Sequence, residues 1–531
     1  MAFVLIGFMG AGKSTLAGEL AAALALRGGG GAAALDSDAL LAERFGHPVA
    51  REFELHGEQA FRAAEEHLVC GLLDDSGSET VIALGGGSVT SPRVRESLAD
   101  HVTVLLDVEP QTAWERVRTQ RDGPASSTQG ERPLARERDE FFALHASRQG
   151  LYEGLADAFL PATLSPDAAP RVLGALRALA AAPGGTRLLW ASSASGDYPV
   201  LVGRGLLDGS DGERLARMWP LDRSRSRPFC VSDETVVGLY GGRVGDLAGT
   251  IAIPAGESHK TLASAERVWG ELIGAGMTRA DHVVALGGGV VGDLAGFCAA
   301  TYQRGVPVVH VPTTLVAQVD SAYGGKTGVD LAQAKNYVGA YHQPAGVLAD
   351  PDTLATLPAA ELAAGWVEVL KTALIAGGAL WDAVAGGGDV DERVIVACAR
   401  TKLAVVAADE RDGGRRQVLN LGHTVGHAIE TATGYARYRH GEAVGLGLLA
   451  ALRLSGQDAL RERVRELMIA RGLPVRIDEG SPDEILTAMG RDKKRTGDRV
   501  PFVLVMSPGE VEFGRELPAE DVRAAVRELM G

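Results

Sequence analysis

Short apolar runs and longer stretches of helical periodicity alternate along the first 160 residues. The runs fall at 2–6, 80–84 and 102–107. A second alternation starts near residue 187, with apolar runs at 187–192, 198–203, 229–233, 250–256, 282–289 and 306–314. Runs of this length between helical patterns predict parallel α/β sheets. From about residue 355 the pattern changes to long Ala, Leu, Val, Glu and Arg stretches, which predict helices. One late apolar run, 501–506, predicts a strand. Residues 161–186 are Pro/Ala-rich and end in Ala-Ala-Ala-Pro-Gly-Gly-Thr, which reads as a short helix followed by a linker. The glycine runs at 28–31 and 386–388 read as loops, and no repeat of fixed period is present.

A chain of 531 residues is too long for one ordinary domain. With 46% apolar and 23% charged residues it has a soluble globular composition and not that of a disordered chain. A net charge of −15 argues against gripping nucleic acid or an anionic membrane through bulk charge, while leaving room for local basic pockets. Cys70, Cys230, Cys298 and Cys398 show no paired spacing, so neither a disulfide framework nor a cysteine metal site is expected, and a reducing compartment is the default. No uncharged apolar run approaches spanning length. The apolar start runs straight into a phosphate loop without a basic leader, so it reads as a first strand and not as a signal peptide. A cytoplasmic protein is expected.

Gly7-Phe8-Met9-Gly10-Ala11-Gly12-Lys13-Ser14, followed by Thr15, fits G-x-x-x-x-G-K-[ST] between an apolar strand and an Ala/Leu helix. Backbone N–H groups there form an anion-binding concavity at a helix N-terminus. Lys13 is placed to reach the outer phosphates and Ser14 to ligate Mg²⁺. Asp36-Ser37-Asp38 offers two carboxylates two apart, which on an extended segment point the same way. Gly57-Glu58 through Phe61-Arg62, Gly85-Gly86-Gly87 after a strand, Arg132-Pro133 and Arg148 add groups suited to a carboxylated acceptor under a closing lid.

On these motifs residues 1–160 resemble the shikimate kinase family. The resemblance implies a P-loop kinase fold, a parallel sheet with helices on both faces, that transfers the γ-phosphate of ATP to shikimate. It implies that Asp38, Arg62, Gly86, Gly87 and Arg148 hold shikimate, with Asp38 near the reacting hydroxyl. Asp36 would support Mg²⁺, Arg132 would be the lid arginine, and Arg118 would lie against adenine. Gly10, Ala11, Gly12, Lys13, Ser14 and Thr15 would hold ATP. A related small-molecule kinase is the rival reading, and the extra residues at 28–34 and 119–131 leave lid behaviour open.

In the second alternation, Leu286-Gly287-Gly288-Gly289-Val290-Val291-Gly292-Asp293 follows an apolar strand and suits close approach of a dinucleotide pyrophosphate. Glu257 through Lys260 and Thr313-Thr314 stand at the ends of neighbouring apolar runs, which in an open parallel sheet line one crevice. Asp320, Lys326, Lys335 and Asn336 follow among glycines. The helical part carries His423 and His427 four apart on one helix face, then His440-Gly441-Glu442, and Glu368 on another predicted helix. Two histidines and a carboxylate with positions left open make a catalytic-metal set, and spacing alone does not choose among these five.

Residues 187–531 resemble the 3-dehydroquinate synthase family of NAD- and metal-dependent sugar phosphate cyclases. The resemblance implies an α/β NAD-binding part followed by a mainly helical metal-binding part. It makes Glu368, His423 and His440 the ligands of Zn²⁺ or Co²⁺ and keeps His427 as a proton-handling group. Asp320, Lys326, Asn336, Lys371, Lys402, Arg416 and Asn420 would surround the substrate, with Lys493 or Lys494 adding positive charge. Arg304 would reach the phosphate, across a dimer interface. Asp233, Glu257, Lys260, Gly288 and Gly289 would bind NAD, together with Asp293, Thr313, Thr314, Lys335 and Thr356. Asp412 stands where many relatives carry Glu.

The combined reading is a bifunctional enzyme. Its parts are 1–175, a linker 176–186, 187–354 and 355–531, with a homodimer expected through the synthase half. Both resemblances fall in one pathway but not on consecutive steps, so channelling between them does not follow. The rivals are another sugar phosphate cyclase, a polyol dehydrogenase, or a fusion in which one half is a non-catalytic module.

Overall fold

The computed structural model describes residues 1–28, 32–78, 80–122, 137–331, 334–489 and 501–530. The chain divides into two compact units, Met1–Trp190 and Ala191–Gly531.

In the first unit the strands β1 (Phe3–Ile6), β2 (Ala33–Asp36), β3 (Thr80–Ala83), β4 (Val102–Asp107) and β5 (Ala158–Pro161) run parallel in the order β2-β3-β1-β4-β5. Strand β6 (Arg187–Ala191) joins beside β5. All four residues of β1 are buried, as expected of a parallel strand covered on both faces. The strand order reverses between β1 and β4, so the crevice beyond their carboxyl ends is a natural ligand site. The helix Lys13–Gly28 starts there. The helix Ala169–Ala181 extends through the first half of the segment expected to be a linker, because Leu173, Leu176 and Leu179 lie on its buried face.

The second unit carries β7 (Tyr198–Val202), β8 (Pro228–Asp233), β9 (Gly249–Ile253), β10 (His282–Gly287), β11 (Val308–Pro312) and β14 (Gly346–Ala349). They run parallel in the order β7-β14-β11-β10-β8-β9. A core centred on Phe229, Val231, Val283, Leu294 and Val308 packs the helix Gly289–Thr301 against this sheet. An antiparallel pair, β12 (Lys326–Leu331) and β13 (Ala334–Tyr341), lies between β11 and β14 in the chain and was not evident from the apolar pattern. The remainder is mainly helical, except that β15 (Pro501–Ser507) pairs with β16 (Glu510–Glu516). The last helix, Ala519–Met530, buries Val522, Ala525, Val526 and Leu529 at helical spacing, and full burial of each large apolar side chain is worth about 1.5–3 kcal/mol.

Three helices of this unit touch backbone to backbone. A Cβ at Gly441 would run into the carbonyl oxygen of Ala364, and one at Gly447 into that of Gly422. A Cβ at Gly426 would lie 3.0 Å from Val444 Cα. These contacts press together the helices Ala359–Ala376, His423–Ala432 and His440–Leu454, which carry Glu368, His423 and His440. Among the described residues, no helix is long and apolar enough to cross a membrane.

Candidate functional site

In the first unit the phosphate loop takes the conformation its glycines permit. Gly10 has φ 80°, and a Cβ there would lie 2.8 Å from Ala113 O. Lys13 Nζ donates to Gly7 O at 2.9 Å and Phe8 O at 3.2 Å, so the lysine curls over its own loop. The Ser14 hydroxyl donates to Asp36 Oδ2. Asp36 ends β2 and caps the next helix, accepting from Asp38 N at 3.0 Å and Ala39 N at 3.1 Å. Asp38 therefore sits in a first helical turn and not on the extended segment expected for the pair. The cap turns the chain at Ser37, whose hydroxyl accepts from Gly85 N at 2.8 Å. A Cβ at Gly85 would stand 2.5 Å from Asp38 Oδ1 and 2.8 Å from Glu65 Oε1, and one at Gly87 would strike the Arg62 guanidinium. Arg62 pairs with the buried Glu65 at 2.6 Å. Arg148 donates to Gly86 O at 3.2 Å, and Tyr152 to the same oxygen at 2.5 Å. Burial raises the Tyr152 hydroxyl to about 12, so it stays a donor.

The glycine triplet thus gathers Asp38, Arg62 and Arg148, while the phosphate loop gathers Lys13, Ser14 and Asp36. Arg118 is exposed on the helix Pro110–Asp122. Its neighbour Arg116, not singled out by the sequence, donates to Gly10 O at 3.3 Å, Ala11 O at 3.4 Å and Ala162 O at 3.0 Å. Only its spacing two residues before Arg118 could have flagged it. Arg132 lies outside the described residues.

In the second unit the carboxyl ends of the parallel strands supply one set of groups. Asp233 ends β8 and caps the next helix through Thr235 N and Val236 N. Lys260, almost fully buried, sits 2.9 Å from Glu257 and 3.3 Å from Asp293. Burial disfavours the charges of Lys260 and Asp293 alike. The surrounding carboxylates overcome it at Lys260, whose pKa rises, whereas the Asp293 carboxyl is left raised to about 6. Gly288 lies under Thr314, and Gly289 faces Ser321. The Thr313 hydroxyl is buried without a hydrogen-bond partner. Asn336 takes φ 52°, and its N–H donates to Asp330 at 2.7 Å. Thr356 is exposed and bonds the Tyr240 hydroxyl at 2.7 Å.

The second set is buried and ionic. Asp320 holds two lysines: Lys371 at 2.9 Å and Lys402, which bonds both its carboxylate and its carbonyl. Burial works against the Asp320 charge, but the two lysines hold its carboxyl well below the usual range. Lys371 also lies 2.6 Å from Glu368 Oε2, and both side chains are 1% exposed. Glu368 Oε1 is buried with no hydrogen-bond partner. His423 Nε2 stands 3.6 Å from it and His440 Nε2 3.5 Å. The ligand nitrogens of His423, His427 and His440 lie within 4.8 Å of one another.

The opposite ring nitrogens settle the tautomers. His423 Nδ1 faces Leu421 O at 3.1 Å, and His440 Nδ1 faces Glu430 Oε2 at 3.4 Å. A carbonyl and a carboxylate only accept, so each Nδ1 carries a proton, which leaves Nε2 as the nitrogen that can offer a lone pair toward Glu368 Oε1. Two lone pairs and a desolvated carboxylate oxygen facing one another call for a cation, and N/O donors of this kind suit Zn²⁺ or Co²⁺. The residues therefore fit a divalent metal. Burial opposes charge on His440, but Glu368 and Glu430 outweigh it and raise its pKa to about 10, so a metal at Nε2 takes the place of a proton there. Glu430, 3% exposed, was missed by sequence reasoning. Its place three residues after His427 and seven after His423, on the same helix face, was the available signal.

Other expected residues have partners of their own or stand further along the chain. Arg416 is fully buried and bonds the carbonyls of Glu410 and Gly324. Lys326 pairs with Asp412 at 2.5 Å. Asn420 ends the short helix Arg415–Asn420 just before His423. Arg304 is exposed with φ 68°, beyond the C-terminal end of the helix Gly289–Thr301. At 13 residues that helix is about 20 Å long, which separates Arg304 from the glycine loop at its start. Lys493 and Lys494 lie outside the described residues.

Comparison with known proteins finds a shikimate kinase profile matching residues 9–176. The profiles for 3-dehydroquinate synthase, N-terminal and C-terminal, match residues 250–364 and 365–495. A 3-dehydroquinate synthase of Symbiobacterium thermophilum is 42% identical over 354 residues, covering 62% of this chain and 98% of that protein. One of Halorhodospira halophila is 43% identical over 351 residues, covering 63% and 97%. Among solved structures, the 2-epi-5-epi-valiolone synthase of Streptomyces hygroscopicus subsp. jinggangensis, with NAD⁺ and Zn²⁺ bound, is 28% identical with a TM-score of 0.57, covering 62% of this chain and 96% of that one.

Proposed function

The chain belongs to the 3-dehydroquinate synthase family through its second unit and carries a shikimate kinase region in its first, and from that premise we propose the roles of its residues. It is a bifunctional shikimate-pathway enzyme. One half phosphorylates shikimate with ATP, and the other converts 3-deoxy-D-arabino-heptulosonate 7-phosphate to 3-dehydroquinate and phosphate.

In the kinase half, Lys13 and the loop amides hold the transferred phosphate, Ser14 and Asp36 hold Mg²⁺, and Asp38 orients the attacking hydroxyl. Arg62, Arg148 and the glycine triplet hold the acceptor, Arg118 serves the adenine, and Arg132 closes the site. In the synthase half, Asp233, Glu257, Lys260, the glycine loop, Asp293, Thr313, Thr314, Lys335 and Thr356 hold NAD. Glu368, His423 and His440 hold the metal, for which Zn²⁺ or Co²⁺ is suited. When bound, the dinucleotide supplies a transient oxidation and the cation polarises the substrate. Lys371, Lys402, Arg416 and Lys326 stabilise the negative charge of the departing phosphate. Asp320 keeps two of those lysines poised, Asn336 and Asn420 orient hydroxyls, and His427 handles a proton beside the metal ligands.

The functional divisions are 1–175, 187–354 and 355–531. A homodimer through the synthase half is supported by Arg304, which stands away from its own cluster. Next to it lies a cavity of about 410 Å³ lined by Trp269, Ile273, Thr301, Tyr302 and Gln303. Four buried, unpaired cysteines support a cytoplasmic location.

The observation that carries the synthase reading is the unpartnered Glu368 oxygen facing His423 and His440. Its test incubates the full chain with 3-deoxy-arabino-heptulosonate 7-phosphate, catalytic NAD⁺ and Zn²⁺. Many phosphates per NAD⁺ without NADH build-up, lost in His423→Ala, is the expected result. No phosphate release points to another sugar phosphate, and stoichiometric NADH points to a dehydrogenase.

A further inference from the structure

We propose that Glu430 is a positioning residue for the metal, acting through His440; the proposal rests on the reading of His440 as a ligand. The two metal-facing histidines are oriented by different kinds of partner. His423 is fixed by a backbone carbonyl two residues away, Leu421 O, which the start of its helix determines. His440 is the first residue of its own helix and has no such local partner. Its Nδ1 meets Glu430 Oε2 at 3.4 Å, and Glu430 is carried on the helix of His423 and His427. The carboxylate thus ties the ring of one helix to the helix of the other ligand. The contact fixes which nitrogen faces Glu368 and raises the basicity of that nitrogen.

Glu430 is buried, and a buried carboxylate needs charge compensation. Lys335 supplies it: its Nζ lies 3.2 Å from Glu430 Oε1, 3.7 Å from Glu257 and 4.4 Å from the Tyr435 ring centre. The two oxygens of Glu430 are therefore divided, one to the imidazole and one to the lysine. Glu257 pairs in turn with Lys260, and Lys260 with Asp293. An alternating ionic chain thus runs from the metal-facing ring to the helix that follows the glycine loop. With Lys335 holding one oxygen, the other cannot turn away from His440.

The test strips metal from the full chain and titrates it with Zn²⁺ against a chromogenic chelator, then with Co²⁺ read by its visible absorption. Glu430→Gln keeps the volume and removes the charge. It is expected to weaken Zn²⁺ binding by about 10- to 100-fold and to shift the Co²⁺ bands, while the metal-free chain keeps a cooperative unfolding transition. Glu430→Asp, with the carboxylate drawn back, is expected to fall between the two. His440→Ala combined with Glu430→Gln is expected to lose no more affinity than His440→Ala alone, because the glutamate has no other route to the metal. Unchanged Zn²⁺ affinity in Glu430→Gln, or additive losses in the double variant, overturns the proposal. If His440→Ala by itself leaves affinity unchanged, the ligand reading falls, and the proposal with it.

Discussion

The two sites of this chain put their charge in opposite places. The phosphate loop is built from backbone amides; Ser14 in it and Asp38 at the glycine triplet are exposed, and Lys13 and Asp36 are half-buried. The synthase cluster is built from side chains, and Glu368 and Lys371 are 1% exposed. A kinase site receives its charge with the nucleotide and its cation, so it needs an oriented concavity and little fixed charge. The synthase cluster carries charges on both sides of the reaction before any ligand arrives, and pairs them with one another. Breaking such a buried pair is costly because the surviving partner has no water to turn to.

The sharpest way to break this contrast is to disable one site and assay both. Lys13→Met is expected to lower shikimate phosphorylation by about 10³-fold and leave phosphate release from the heptulosonate unchanged. His423→Ala is expected to do the reverse. ADP and phosphate release by the full chain check both, and a loss of both activities in either variant would show the sites to be coupled.

The next test compares stability. Asp320→Asn is expected to cost about 3 kcal/mol in urea unfolding, because it strips charge from the partner of two buried lysines. Asp36→Asn is expected to cost under about 0.5 kcal/mol, since Asn caps a helix as well as Asp. Equal costs would end the distinction between buried and open charge.

A third prediction concerns acid. Asp281 is 2% exposed; burial opposes its charge, but three bonds from Arg227, one of them from its backbone N–H, and two from Thr278 hold its carboxyl below the usual range. A carboxylate lowered in the folded state binds fewer protons there than when unfolded. Its contribution is therefore present above about pH 4 and lost as pH falls further. Asp281→Ala is expected to cost about 2 kcal/mol at neutral pH and to flatten the fall in stability below that pH. Thermal melts from pH 7 down to pH 3 check it. The smallest effect expected is in Arg116→Ala, which removes three bonds around the phosphate loop. A rise of about fivefold in KM for ATP, with the synthase unchanged, is the expected result.

Most of the parallel strands were legible because they are short, mainly apolar runs ended by glycine or a polar group, whereas β2, β5 and β14, of four residues each, were not among the runs read as strands. The phosphate loop and the His423-x-x-x-His427 pair were legible because local periodicity alone sets their geometry. The strands β13 and β16 were not, because their exposed residues interrupt the apolar pattern. Asp38 was misplaced onto an extended segment because a helix cap at Asp36 depends on where the chain turns. Glu430 was invisible as a partner of His440, since only the packing of two helices brings them together.

That packing rests on residues with no donor atoms. Gly422, Gly426, Gly441 and Gly447 form the seams between the helices that carry Glu368, His423 and His440, and a methyl group at Gly441 or Gly447 has nowhere to go. A scan of all substitutions would mark these positions as no more tolerant than the histidines, though none of them touches a reactant. Anyone retuning this enzyme toward another sugar phosphate has freedom in the loops and almost none at these seams, where the precision of the chemistry is kept by the absence of a side chain.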